Sequence, residues 1–505
     1  MRKYLLHILI ISIFSLVLST SSHVSAQSLQ LSMKYYIKAK NLGKQGKYLE
    51  AAEMCEKAVH AEKTSPSPMM EALAAYFKQA GRFYSLVGQY DKAIKYHEEA
   101  LDIGKRLGVE AGVAASLNDI GLVYYSRGQY DKAIKYYEEA LAIARKLGKE
   151  DSVATYLNNI GGVHNSWGQY DKAIKYHEEA LAIARKLGKE DSVATYLNSI
   201  GSVHNSWGQY DKAIKYFKES LAIGKRLGRE PSTLLNNIGS VYRSWGQYDK
   251  AIKYFEEALA IARRLGKEDK VATCLNNIGL VYNSRGQYDK AIKYHEEALV
   301  IDKRLGKEGS IAIRLNNIGL VYYSWGQYDK AIKYFKESLA IARKLGKEDS
   351  VATYLNSIGG VHNSWGQYDK AIKYFEEALD IGKRLGLEAG VAVSLNNISI
   401  VYNSWGQYDK AIKYFKELLT IERKLGQEDK VATCLNNIGM VYHFLGQSDK
   451  AIKNYEEALV IDKRLGKEGS IATRLNNIGL VYYSRGQYDK AIKYFEEALD
   501  IGKRL

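Results

Sequence analysis

Residues 149–188 read KEDSVATYLNNIGGVHNSWGQYDKAIKYHEEALAIARKLG, and residues 189–228 read KEDSVATYLNSIGSVHNSWGQYDKAIKYFKESLAIGKRLG. Two consecutive 40-residue stretches that agree at most positions are copies of one unit, and the pattern extends in both directions. Gly-Gln-Tyr, once Gly-Gln-Ser, begins at Gly88, Gly128, Gly168, Gly208, Gly246, Gly286, Gly326, Gly366, Gly406, Gly446 and Gly486. The spacing is 40 throughout except for 38 between Gly208 and Gly246, where Gly228-Arg-Glu-Pro-Ser-Thr233 is two residues shorter than Gly188-Lys-Glu-Asp-Ser-Val-Ala-Thr195. A degenerate copy, Gly46-Lys47-Tyr48, lies 42 residues before Gly88, which makes twelve units. A fixed period of this length marks an array in which each unit buries its apolar face only against its neighbours.

Each unit carries two helical periodicities. Val153, Tyr156, Leu157, Ile160, Val163, His164 and Trp167 recur at steps of three and four, giving a first helix (helix A) one packed face. Tyr170, Ala173, Ile174, His177, Ala180, Leu181, Ala184 and Leu187 do the same for a second (helix B). Gly168 and Gly188 are the expected stops, and Arg185-Lys186 suit the negative end of helix B. Asp171 falls in the first turn of helix B, while Glu190, Asp191 and Ser192 are expected to supply a connection and an N-cap for the next helix A. Gly161, Ala173 and Ala180 are small enough to let the two backbones approach closely.

At this point the residues resemble the tetratricopeptide repeat family. Its pattern appears as Leu117, Ile120-Gly121, Tyr124, Ala133, Tyr137 and Ala140, and recurs from Leu29 to Leu505. The family's closing Pro is replaced by Arg145, and the period is 40 rather than about 34. This longer form resembles the repeats of kinesin light chains, through Leu275-Asn276-Asn277-Ile278, and those of G-protein-signalling modulators. The resemblance implies an all-α, right-handed superhelical solenoid of about twelve helix-turn-helix units, with helix A lining the concave side. The units are expected at residues 29–62, 69–107, 112–147, 152–187, 192–227, 231–265, 270–305, 310–345, 350–385, 390–425, 430–465 and 470–505. Ala39 and Ser399 replace the close-contact Gly in the first and tenth units, so looser helix contacts are expected there.

The repeat accounts for the composition. The 505 residues include 43 Gly and 41 Tyr, which are turn and packing positions used twelve times, and only 3 Pro, so linkers between separate domains are not expected. Residues 1–26 stand apart: Arg2 and Lys3 precede the apolar run LLHILIISIFSLVLS, and Val24-Ser25-Ala26 fits a cleavage site. The expected leader is cut after Ala26, leaving a secreted or periplasmic chain with no stable membrane insertion. Cys274 and Cys434 lie at equivalent places in units four repeats apart, so they and Cys55 read as small buried hydrophobes, not a disulfide framework.

No catalytic set survives comparison between units. His164, His204 and His362 replace Tyr at one helix-A position, and His97, His177 and His295 replace Tyr or Phe at one helix-B position, so they read as packing and not as metal ligands or acid-base groups. Glu98-Glu99, Glu138-Glu139 and their equivalents lie three to four residues from Lys and read as a solvated ion-pair face. No phosphate loop, zinc spacing or dinucleotide fingerprint is present, and neither cofactor nor metal is expected. The net charge of +16 falls to +14 without the leader. Helix A from Val153 to Trp167 carries none of it, whereas a nucleic-acid groove would want cations on the lining helix, so nucleic acid is not an expected partner.

The candidate functional surface is therefore uncharged. Asn158-Asn159, Asn236-Asn237, Asn276-Asn277, Asn316-Asn317, Asn396-Asn397, Asn436-Asn437 and Asn476-Asn477 recur inside helix A, although Asn there costs helix propensity. The resemblance implies that such side chains hydrogen-bond the backbone of an extended peptide. The alternative is a ladder that joins adjacent units. Tyr125, Tyr323, Tyr483, Asn165, Asn205 and Ser166 lie around them. Only scattered cations such as Lys78, Arg314 and Arg474 are expected in the groove, which argues against the carboxylate-clamp mode of the family.

Trp167, Trp207, Trp245, Trp325, Trp365 and Trp405 precede the turn Gly, and Arg127, Arg285, Arg485 or Leu445 replace them elsewhere, which points to packing of the turn in preference to a ligand cage. Ala498, Leu499 and Leu505 would be partly uncovered, so either the natural chain continues or this end docks on another molecule, with self-association through the last unit as the expectation. The sequence thus points to a scaffold that binds a protein or peptide along helix A. The alternatives are a sensory module of an envelope signalling system and the targeting array of a longer effector.

Overall fold

The computed structural model describes residues 23–65 and 67–504, with side chains from residue 30 onward. The expected leader lies outside the described residues up to residue 22. The described chain is helical and divides into two compact units, up to Ile160 and from Gly161.

The first unit holds α1 (His23–Lys44), α2 (Tyr48–Lys63), α3 (Met70–Leu86), α4 (Tyr90–Arg106), α5 (Glu110–Ser126) and α6 (Tyr130–Lys146), and the division falls inside α7 (Glu150–Ser166). The second holds α8 (Tyr170–Lys186), α9 (Glu190–Ser206), α10 (Tyr210–Arg226), α11 (Ser232–Ser244), α12 (Tyr248–Arg264), α13 (Glu268–Ser284), α14 (Tyr288–Arg304), α15 (Glu308–Ser324) and α16 (Tyr328–Lys344). It continues with α17 (Glu348–Ser364), α18 (Tyr368–Leu385), α19 (Glu388–Ser404), α20 (Tyr408–Lys424), α21 (Glu428–Phe444), α22 (Ser448–Arg464), α23 (Glu468–Ser484) and α24 (Tyr488–Arg504). Odd-numbered helices are the A helices, and within either unit they pack mainly on the B helix that follows and the B helix before. Both units are therefore stacks of helical hairpins.

The turns are closed chiefly by backbone hydrogen bonds. Gly208 sits at φ +79°, which turns the chain so that the Gln209 amide donates to His204 O at 2.8 Å, and Gln209 O then accepts from Ala213 N at 3.0 Å. This corrects the expected cap: helix α9 starts at Glu190, not after it, and Lys189 is its N-cap without any side-chain hydrogen bond. Glu190 and Asp191 lie inside the first turn, where their charge favours the helix dipole. The two-residue deletion shortens one element, since α11 has 13 residues where the other A helices from α3 onward have 17.

Close approach within a hairpin rests on one glycine. A Cβ added at Gly359 would lie 2.7 Å from the ring of Phe375, and Gly201, Gly239 and Gly319 face Phe217, Phe255 and Phe335 in the same way. Those rings are 0–2% exposed. Ser399, fully buried at the equivalent place, donates its hydroxyl to Leu395 O at 2.7 Å, and the α19–α20 hairpin packs less closely than the other full-length hairpins, as expected from the lost glycine; the same expectation fails for Ala39, which is fully buried in an α1–α2 hairpin that is no looser than the rest.

Charge pairing differs from the expected arrangement along single helices. Most ion pairs join successive hairpins: Arg343 meets Glu377 at 2.7 Å, Arg185 meets Glu219 at 3.1 Å, and Lys344 meets Glu308 at 2.6 Å. Offsets of 34 and 36 residues bring equivalent faces of neighbouring units together, which a period of three or four along one helix does not reveal. The partners in these three pairs are 41–69% exposed and each pair contributes about 0–1 kcal/mol. Among the described residues no helix is long and apolar enough to cross a membrane.

Candidate functional site

Curvature identifies the inner face. In the second unit, A helices of successive hairpins approach one another, α11 with α13, α13 with α15 and α17 with α19, and B helices do so less. In a bent stack the shorter spacing is on the inside, so helix A lines the concave side of each unit.

The Asn pairs stand at this A-to-A contact. The second Asn of a pair donates Nδ2 to the Oδ1 of the first Asn one unit earlier: Asn159 to Asn118 at 2.8 Å, Asn237 to Asn198 at 2.8 Å, Asn277 to Asn236 at 3.0 Å, Asn317 to Asn276 at 2.8 Å, Asn397 to Asn356 at 3.3 Å and Asn477 to Asn436 at 2.8 Å. These are rungs between units, the arrangement left open as the alternative by the sequence. Ser357 replaces the second Asn in α17, and its hydroxyl reaches Asn316 Oδ1 only at 3.4 Å. Asn158 Oδ1 is buried without a hydrogen-bond partner. Asn396 is half-buried beside Asn397, and Asn437 accepts from Asn436 at 3.4 Å in its own helix. Each rung uses one of two amide hydrogens, and every rung residue except Asn276 keeps partial exposure, so hydrogen-bonding capacity remains on this face.

Tyr323 makes another link between units, its hydroxyl lying 2.7 Å from Ser364 Oγ. Tyr125 packs on Tyr130 with ring centroids 6.2 Å apart, and Tyr483 is 59% exposed. In the same column as Tyr323, Asn205, Asn283, Asn363 and Asn403 each hold a buried Oδ1 without a partner.

Arg314 and Arg474 are not groove cations. They are buried, with Nε donating to Asp302 Oδ2 at 3.0 Å and to Asp462 Oδ2 at 3.1 Å. Twelve residues of separation place the Asp near the end of one helix B and the Arg in the next helix A, a relation that groove-position counting missed. Burial raises the Asp302 carboxyl while Arg314 pulls it down. The equivalent of Asp302 in α20 is Glu422, and the equivalent of Arg314 is Cys434. Glu422 is 4% exposed with Oε2 unpartnered, and burial raises its carboxyl above the usual range. Lys78 and Arg82 both face Asp119, at 3.9 and 3.2 Å, at the place of a rung in the first unit, and burial lowers the Lys78 ammonium.

The histidines are packing groups. His164 stacks on Tyr176 at 5.3 Å with Nδ1 2.9 Å from Gln169 Oε1, and His177, 2% exposed against Gly161, is held to about 4 by burial and is neutral at pH 7. Cys55, Cys274 and Cys434 are buried and free, and burial pushes the Cys55 and Cys434 thiols up to about 12.

The Trp column has a structural explanation. Trp207, Trp325, Trp365 and Trp405 pack on Tyr170, Tyr288, Tyr328 and Tyr368, the first residues of the preceding helices B, with ring centroids 5.8–5.9 Å apart. Arg127, Arg285 and Arg485 reach instead the Asp one residue further on, Asp91, Asp249 and Asp449, at 2.6–2.7 Å. Either residue ties a turn to the unit before it.

Sequence reasoning missed an apolar component of the inner face. Leu122, Leu320, Ile400 and Leu480, all one residue after the close-contact position, are 36–48% exposed, and Ile313 and Val393, seven residues before Leu320 and Ile400, are 49–50% exposed. Their signal was available, since apolar side chains next to the packed Gly fall on the side of helix A turned away from helix B.

A stack of two-helix units, each closed by Gly and packed through small-to-large contacts, is a repeat solenoid. The sequence pattern of the tetratricopeptide repeat family matches residues 71–146, 152–226, 230–304, 271–344, 310–384, 349–424, 390–464 and 430–504, and the chain belongs to that family. Similar solved structures include BtubC from P. vanneervenii, 24% identical over 43% of this chain and 91% of that one, with a TM-score of 0.40. A Rap protein complexed with competence and sporulation factor is 16% identical over 80% and 99%, with a TM-score of 0.44. A Podosopora anserina putative kinesin light chain with TPR-like repeats is 20% identical over 38% and 96%, with a TM-score of 0.34. No curated protein matches the sequence.

Proposed function

We propose that the protein is a non-catalytic interaction scaffold that binds an extended peptide, or an extended segment of a partner protein, along the helix-A face. The observation that carries this reading is the composition of that face: Asn rungs with spare amide hydrogens, exposed Thr and Ser, and apolar side chains such as Leu320 and Ile400, with few free charges. Such a surface suits a chain that offers backbone amides and apolar side chains, each net hydrogen bond contributing about 0.5–1.5 kcal/mol. Asn236, Asn237, Asn276, Asn277, Asn316, Asn317, Asn396, Asn397, Asn436 and Asn437 are the proposed contacts in the second unit, with Asn158, Asn159 and Tyr125 in the first. Tyr323 adds a hydroxyl that both a ligand and Ser364 can use. We place the protein outside the cytoplasm after cleavage at Ala26, with self-association through α24 as a secondary property.

The test separates the two roles of the Asn pairs. Replacing Asn276-Asn277, Asn316-Asn317 and Asn396-Asn397 with Ala should abolish capture of members of an unstructured peptide library that the wild type retains, while circular dichroism stays unchanged. Loss of helicity and melting temperature with capture intact would assign the pairs to the ladder alone and remove this reading.

A further inference from the structure

Five of the six Trp residues that end helices A are 36–40% exposed: Trp207, Trp245, Trp325, Trp365 and Trp405. Trp167 is more covered than these, and part of its cover comes from 258 residues further along the chain, where Leu425 O accepts a hydrogen bond from Trp167 Nε1. The other side of the contact shows the same departure. Leu425 is 4% exposed, whereas Leu227, Leu265, Leu305 and Leu465, at equivalent places after helix B, are 38–47% exposed. A Cβ on Gly426, which sits at φ +64°, would stand 3.0 Å from Trp167 Nε1. The phenol of Tyr170 is raised by burial and then by the charge of Asp429, so the first turn of α21 is close as well.

Leu425 O belongs to the C-terminal end of α20, where carbonyls lack partners within the helix and the dipole favours a donor. Nothing in the repeat marks this meeting, because Trp167 and Leu425 have the same local surroundings as their equivalents. The bend of the stack within the second unit brings the turn after α7 back to the turn after α20, six hairpins on.

We infer that Trp167 and Leu425 form a clasp that holds one turn of the solenoid against the next, so that this unit exchanges between a closed coil and a longer, open one. In the closed coil the gap between turns is shut at this point, and the helix-A face of the intervening hairpins is reached along the coil and not from the side. That consequence for access rests on the proposed binding face; the clasp itself does not.

The experiment compares small-angle X-ray scattering of the purified full chain with its Trp167→Ala, Trp167→Phe and Trp325→Ala variants. Trp325 stacks on its neighbouring Tyr like the other members of the column but meets no second turn, so its variant controls for loss of turn packing. Both Trp167 variants should show a larger radius of gyration and maximum dimension than the wild type, with Trp325→Ala unchanged. If Trp167→Ala loses helicity, Trp167→Phe alone decides, since it keeps an aromatic ring in the turn and removes the N–H donor. Acrylamide quenching gives a second reading: roughly one sixth of the wild-type emission, from one of six Trp residues, should be protected, and Trp167→Phe should remove that fraction. Scattering of Trp167→Phe that superimposes on the wild type, together with six equally quenched Trp residues, overturns the clasp whether or not the helix-A face binds peptide.

Discussion

Gly359 and Gly360 are neighbours in α17, and replacing each with Ala should move stability in opposite directions. In a helix interior Gly→Ala gains about 1 kcal/mol, because Ala has less backbone freedom to lose. At Gly360 a Cβ would have nothing within 4 Å, so that gain should be kept in full. At Gly359 the same Cβ would stand 2.7, 2.8 and 2.9 Å from three ring carbons of Phe375, where carbon contacts are comfortable at about 3.5–4.0 Å. Phe375 is 2% exposed and packed among buried neighbours, so the ring has little room to retreat. Overpacking of this kind costs about 1–3 kcal/mol, which offsets or exceeds the helix gain, and the two variants should differ by roughly 1–3 kcal/mol. The looser α19–α20 hairpin around Ser399 shows one way in which the array accommodates a side chain at this position. Because the stability of an array is a sum over neighbouring units, native-state hydrogen exchange of the α17 and α18 amides is a better assay than one global midpoint. Protection should rise in Gly360→Ala and fall in Gly359→Ala. Equal shifts of the same sign in both variants would refute the reasoning, because they would show that the ring does not define the closeness of the hairpin.

Three further outcomes follow from particular contacts. Ser357→Asn should replace a 3.4 Å contact with a full rung to Asn316 and raise local stability by about 0.5–1.5 kcal/mol, read as slower exchange in α15 and α17. Arg314→Met should cost about 3–5 kcal/mol by leaving Asp302 buried without its cation, and adding Asp302→Leu should recover most of that loss in urea unfolding. Glu422 carries a pH signature. Its folded pKa is raised by burial, with Lys430 opposing and Asp429 adding to the rise, so its contribution is fully present below the unfolded pKa and is lost as pH rises through the folded value. Glu422→Gln should therefore gain on the wild type as pH rises above the ordinary carboxylate range of about 4, and parallel pH profiles for the two proteins would contradict this.

Much of the site can be read from the sequence because its residues are defined by position in the repeat. Asn158-Asn159 and their equivalents stood out as an unfavourable choice inside a helix, and they do lie at the inner contact between A helices. The sequence did not say what they touch. Rung partners are about 40 residues apart, and their geometry depends on how neighbouring hairpins rotate against each other. The same gap explains Arg314 and Arg474, which by position alone pass for groove cations. Each is turned inward because an Asp replaces Ala near the end of the preceding helix B.

By itself the sequence determined the helices, their stops and the packing columns, since these depend on local period, on the left-handed conformation that Gly adopts and on swaps between equivalent units. Only the tertiary structure decided which equivalent residues differ in role. Trp167 and Trp325 occupy the same place in their units, yet one meets a second turn of the stack and the other does not. Curvature accumulates from small rotations at every interface, so identical units acquire different surroundings according to where they lie along the coil.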